Sequence, residues 1–161
     1  MNRGLSHIGK EGEARMVDVG GKQPTVRTAR AVAVVRLGSD LAERLRTTGA
    51  TAKGGVVETA RIAGIMAAKQ TSNLIPLCHP LPLSMVDIDA EIGDETITLY
   101  SFARCEHTTG VEMEAMTAAS VAALTVYDMC KAVSKAIEIE SVKLIEKTGG
   151  KSGNWKREND S

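Results

Sequence analysis

Polar and apolar residues alternate along Thr25–Leu37 (TVRTARAVAVVRL). Val26, Thr28, Arg30, Val32 and Val34 fall on one side, with Thr25, Arg27, Ala29, Ala31, Ala33 and Val35 on the other. A period of two over this length predicts a long strand. Met85–Ile92 alternates more sharply, setting Val86, Ile88, Ala90 and Ile92 against Asp87, Asp89 and Glu91. After a Gly93-Asp94 turn, Thr96–Glu106 alternates again, so the two segments read as a hairpin. Ile139–Ile145 predicts a short last strand. Between these lie stretches of helical period. Ser39 is placed to cap a short helix over Asp40–Arg46, and Val56–Gln70 repeats its apolar residues at helical spacing. Val111–Ala136 holds no Pro or Gly and is rich in Ala, Met, Glu and Leu. The order strand, helices, strand, strand, helix, strand predicts an α+β fold. It is the ferredoxin-like βαββαβ plan, an antiparallel sheet with helices packed on one face.

The remaining segments are connections. Residues 1–14 are charged and Gly-rich and read as a loose arm; Met16–Lys22 ends in a Gly pair and reads as a turn. Gly49–Gly55 is a loop holding Lys53, and three prolines make Thr71–Leu83 a rigid, irregular connection around His79. Lys147–Gly153 (KTGGKSG) is a Gly-rich basic end, followed by a polar tail. No linker divides the 161 residues, so they are expected to form a single domain with residues 1–14 and 154–161 flexible.

Composition narrows the function classes. Lys and Arg number 20 and Asp and Glu number 20, so the net basic field of a nucleic-acid binder is absent. Aromatics make up 2% of the chain, too few for base-stacking platforms. The start lacks a hydrophobic run, and no apolar run reaches the ~20 residues of a membrane span. Cys78, Cys105 and Cys130 are scattered and odd in number, which suggests reduced thiols in a cytoplasmic protein.

The long helix carries the chemistry. Glu112 and Glu114 stand at its start, with Asp128, Lys131 and Lys135 near its end. Steps of three and four from Glu114 run through Thr117, Val121 and Leu124 or Thr125 to Asp128, near one stripe. Asp128 and Lys131 are three apart and meet across one turn. Such a pair is either a solvated salt bridge or, partly buried against alanines, an acid/base couple with pKa values moved toward neutrality. His79 in LCHP is pinned beside Cys78 and Pro80. Adjacent Cys and His seldom ligate one metal, and nothing completes a zinc set, so no metal site is expected. Lys147, Lys151 and the glycines between them can cradle an anion, or can be a floppy tail. Arg27, Arg30, Lys53, Lys147 and Lys151 could hold phosphates if the fold or a second subunit assembles them.

Four segments together are more specific than any of these motifs alone. They are MVDVGGKQPTVRTARA (16–31), KGGVVETARIAGIMAAKQTSNLIPLCHPL (53–81), TGVEMEAMTAASVAALTVYDMCKAV (109–133) and KLIEKTGGKSG (143–153). In them the chain resembles the cyclic pyranopterin monophosphate synthase family, the C proteins of molybdenum cofactor biosynthesis. Gly55 departs from the family pattern, which has an acidic residue there.

The resemblance implies a lyase converting 3′,8-cyclo-7,8-dihydro-GTP to cyclic pyranopterin monophosphate with release of pyrophosphate. Asp128 and Lys131 match the family's catalytic pair. Leu77, Cys78, His79, Met113 and Glu114 match its substrate-contacting segments, and Glu112, Lys53, Arg27, Lys147 and Lys151 match polar groups around the site. It implies no cofactor beyond Mg2+ accompanying the substrate triphosphate, and a homo-hexamer, a trimer of dimers with sites at subunit interfaces. No nucleic acid or membrane partner is implied. Two rival readings are a non-catalytic nucleotide-binding subunit and a metal-dependent hydrolase centred on Cys78, His79 and Cys105.

Overall fold

In the computed structural model, residues 16, 18–21, 23–151 and 153–158 are described. The expected loose arm at 1–14 and the last residues of the tail lie outside them. The elements run β1 (Thr25–Arg36), α1 (Ser39–Thr48), β2 (Ala50–Thr51), β3 (Gly54–Gly55), α2 (Val56–Ala68), α3 (Thr71–Leu74), β4 (Leu83–Ile92), β5 (Thr96–His107), α4 (Glu112–Cys130), β6 (Glu138–Thr148) and β7 (Trp155–Lys156). Five strands form one antiparallel sheet in the order β4-β5-β1-β6-β7. Without β7, the four long strands follow the ferredoxin-like order.

Strand period and burial agree. Ala29, Ala31, Ala33 and Val35 of β1 and Ile97, Leu99, Ser101, Ala103 and Cys105 of β5 are buried toward the helices. Against them lies α4, with Ala115, Ala118, Ala119, Ala122 and Ala123 fully buried. Alanine against alanine lets helix and sheet approach closely, and dispersion over the whole face replaces a few bulky anchors. The Ser101 hydroxyl donates to the Ala115 carbonyl at 2.7 Å, fixing the level at which α4 crosses β5. Helix α2 packs on α4 equally tightly. A Cβ at Gly64 would strike Ile88 and lie 2.8 Å from the Ala118 carbonyl oxygen.

Four expectations need correction. The long helix stops at Cys130, short of Ala136. There the Cys130 carbonyl takes the N–H groups of Val133 and Ser134, closing a turn that leaves Lys131 at the helix end and Lys135 beyond it. Ser39 does not cap α1. It lies inside the helix, Gly38 is the cap residue, and the Ser39 hydroxyl reaches Asp40 instead. The loop at 49–55 folds as a small hairpin, with Ala50 opposite Gly55 and Thr51 opposite Gly54. The last long strand runs to Thr148, because β1 offers it partners as far as Thr28; beyond it, Trp155–Lys156 pairs back onto Lys147 and Glu146 where a polar tail was expected.

Candidate active site

The candidate groups collect at the two ends of α4. At its N-terminus, the end of β1, the start of α4 and the glycine turn after β6 enclose an open cleft of ≈ 730 Å³. Arg27, Glu112, Lys147 and Lys151 line it, with Gln23, Thr25 and the Thr108–Gly110 backbone. Register explains the meeting. Lys147 pairs with Ala29 on β1, two residues from Arg27, and Arg27 pairs with Cys105 on β5, whose end leads directly into α4. Lys147 Nζ donates to Glu112 Oε1 at 2.6 Å. Arg27 donates from Nε to the His107 carbonyl and from Nη2 to that of Thr108, both at 3.3 Å. Gly149 and Gly150 lie at φ 89° and 78°, which a side chain would resist. A Cβ at Gly150 would also land on the Arg27 guanidinium. The glycine turn thus folds directly over the arginine.

Within the first turn of the helix, Glu114 is 4% exposed. Burial pushes its carboxyl up to about 7, with the charge of Glu112 adding to the rise and its own backbone N–H opposing it. The same burial raises the Cys105 thiol to about 11 and raises Cys78, and Glu114's charge adds to both shifts. These thiols stay protonated near neutrality, which disfavours nucleophilic chemistry at Cys78. Leu77, Cys78 and His79 are half-buried, and Cys78 is near enough to Glu114 for that charge to raise its thiol. Met113 is exposed beside Glu114. Among the described residues no group of three or more His, Cys, Asp or Glu is placed to hold a metal, so Cys78, His79 and Cys105 do not form one.

At the other end, Asp128 sits between two ammonium groups. Lys131 Nζ is 2.7 Å from Oδ1 and Lys53 Nζ is 2.9 Å from Oδ2. Lys53 also donates to the Asp128 carbonyl at 2.8 Å. The hydrogen bonds from Lys131 and then Lys53 hold the Asp128 carboxyl down to about 2, and the bond to Asp128 raises Lys131. This corrects the expected drift of both toward neutrality. The helix bares its last polar turn, so there is no desolvation large enough to oppose the mutual attraction.

Within one chain the sequence's candidates therefore form two groups. Glu112 and Asp128 are 16 residues apart on α4, roughly 24 Å at the helical rise. Sequence reasoning missed the Thr108–Gly110 backbone as a wall of the cleft. The signal was its place directly before the helix start. It also missed Thr51, whose hydroxyl donates to the Met129 carbonyl at 3.0 Å; a two-residue strand leaves no periodic trace.

The chain is thus a ferredoxin-like α+β protein with a cleft lined by Arg27, Lys147 and Lys151 and a lysine-flanked carboxylate at opposite ends of one helix. Residues 16–150 match the MoaC family, and the chain belongs to it. A cyclic pyranopterin monophosphate synthase from Streptomyces avermitilis is 54% identical over 153 residues, 95% of this chain and 89% of the relative. Those from Desulfitobacterium hafniense and Thermomicrobium roseum are each 52% identical, over 96% and 97% of this chain and 94% and 95% of their own lengths.

Proposed function

We propose that this enzyme converts 3′,8-cyclo-7,8-dihydro-GTP to cyclic pyranopterin monophosphate and pyrophosphate by general acid/base catalysis. The observation that carries the reading is the Asp128 carboxylate held between the ammonium groups of Lys53 and Lys131. The reaction opens the purine's five-membered ring, closes a pyrazine ring and forms a cyclic phosphate, so each step moves protons and none moves electrons off the substrate. Before substrate arrives, Asp128 is ionised and Lys131 is protonated, which makes Lys131 the acid and Asp128 the base of the first exchange. A triphosphate would draw the lysines toward itself and relieve the hold on Asp128, raising its basicity when it is needed. Arg27, Lys147 and Lys151, with the Gly149–Gly150 backbone, suit the phosphates. Leu77, Cys78, His79, Met113 and Glu114 would form the wall for the heterocycle.

The separation along α4 argues for sites shared between subunits, where the phosphate cleft of one copy meets the Asp128 end of another. The helix layer supports an oligomer. Ile62, Met66, Leu74 and Leu124 are 57–62% exposed, apolar area that a second copy would cover.

Pyrophosphate release from the cyclised GTP derivative tests the activity. Mixing Asp128→Asn with Lys147→Ala subunits tests the sharing. Neither variant alone should turn over well, and reassembled mixtures should regain a fraction of parent activity through sites built from two intact surfaces. Full turnover by Asp128→Asn would refute the role given to the carboxylate.

A further inference from the structure

Helix α4 ends in carbonyls that need donors. The Tyr127 carbonyl takes the Lys131 N–H at 2.8 Å, and the Cys130 carbonyl takes the Val133 and Ser134 N–H groups at 2.8 and 3.3 Å. The two between are met from the β2–β3 hairpin. Asp128 O takes Lys53 Nζ at 2.8 Å, and Met129 O takes the Thr51 hydroxyl at 3.0 Å. The same hydroxyl accepts the backbone N–H of Lys53 at 3.3 Å. One oxygen therefore bonds in both directions, to the helix that carries Asp128 and Lys131 and to the residue that brings the second ammonium.

We propose that Thr51 is a positioning residue. Its hydroxyl seats the hairpin on the end of α4, so that the Lys53 ammonium meets the Asp128 carboxylate. The argument is one of sufficiency. Strands β2 and β3 pair through only Ala50–Gly55 and Thr51–Gly54, and a lone two-stranded hairpin is marginal in water. Gly54 and Gly55 follow Lys53 and add backbone freedom. The hairpin's exit is fixed, since Val56 is fully buried and its N–H bonds the Gly49 carbonyl at 3.0 Å. Its tip needs a separate hold, and Thr51 supplies a rigid β-branched one. Lys131 needs no such help, because it caps α4 itself, three residues from Asp128. Loss of the hydroxyl should therefore loosen Lys53 and leave Lys131 in place.

The catalytic half of this inference rests on the proposed chemistry at Asp128, and the test separates the two. Thr51→Val keeps the shape and removes the hydroxyl; Thr51→Ser keeps the hydroxyl. In the assembled full chain without substrate, acetic anhydride labelling read by mass spectrometry should modify Lys53 about fivefold faster in Thr51→Val, with Lys131 changed less than about twofold. Thr51→Ser should match the parent. In pyrophosphate release, Thr51→Val should lose about five- to tenfold in kcat with KM within about twofold, and Thr51→Ser should recover most of it. Parent-rate labelling of Lys53 in Thr51→Val, or a Thr51→Ser as impaired as Thr51→Val, overturns the positioning role. Faster labelling with unchanged kcat upholds the seating of the hairpin and removes Lys53 from the chemistry. Should Thr51→Val not assemble, Thr51→Ala makes the same comparison by removing the hydroxyl together with the γ-methyl.

Discussion

The two ends of α4 treat a carboxylate in opposite ways. Glu114, in the first turn, is buried without a cation, and its affinity for a proton rises to about 7. Asp128, in the last turn, lies open beside Lys53 and Lys131, and its affinity falls to about 2. Desolvation wins at one end and hydrogen-bonded charge at the other, although one helix presents both. Position along the helix decides the outcome. Glu114 lies on the buried side of the first turn, while Asp128 lies on the exposed side of the last, where Val126, Met129 and Cys130 take the core side and Lys53 of the hairpin reaches the carboxylate. A group near neutrality can exchange a proton with bulk conditions. A group held ionised is ready to accept one only after its partners are drawn off.

The contrast is broken most severely at the exposed end. Asp128→Asn and Lys131→Ala should each reduce kcat about a thousandfold or more. Far-UV circular dichroism and melting should change little, since both side chains are about half exposed. A loss of fold accompanying the loss of turnover would count against a chemical role.

Next in size is a change between the ends. Gly64→Ala would push a methyl group against Ile88 and the Ala118 carbonyl, forcing α2 off α4. The expected cost is about 3 kcal/mol of stability by denaturant unfolding, with kcat kept while the protein is folded. Lys147→Ala, at the cleft, should raise KM about thirtyfold, roughly 2 kcal/mol, and lower kcat less. Glu112 would be left without the ammonium it now meets at 2.6 Å. A pure kcat effect would move Lys147 from phosphate binding to chemistry.

The sheet was legible because alternation is a direct trace of the pleat. Thr25 to Arg36 and Met85 to Ile92 read correctly to within about two residues, and the element order then gave the topology. Helix ends were less so. Ser39 has the chemistry of a cap, but the chain turns at Gly38 instead. Residues after Cys130 have good helix propensity, yet their N–H groups close a tighter turn. The candidate residues could be picked out by type, but their arrangement could not. KTGGKSG read equally as an anion cradle or a floppy tail, and its meeting with Arg27 depends on the pairing of Lys147 with Ala29, which no local pattern encodes. Protonation was the least legible. Asp128 and Glu114 are both carboxylates on one Ala-rich helix, and only the burial of one and the bareness of the other set their opposite shifts.

The smallest expected effect examines the buried end through stability. Glu114 has its ordinary affinity, near 4.5, in the unfolded chain and about 7 when folded. Below the lower value both states hold the proton and the group contributes nothing. As pH rises between the two, the unfolded chain releases its proton while the folded one keeps it, so stability falls. Above the higher value the folded carboxylate is charged and buried, and the loss is complete. Glu114→Gln cannot ionise and should escape this loss. Relative to the parent it should gain about 2 kcal/mol in unfolding free energy at about pH 8 and almost nothing at about pH 4. Asp128→Asn should show the reverse trend, because a lowered carboxyl stabilises the fold above its unfolded value and loses that contribution as pH falls toward 2. If both variants followed the same slope, the two carboxylates would share one kind of environment, and the division of labour along α4 would have to be abandoned.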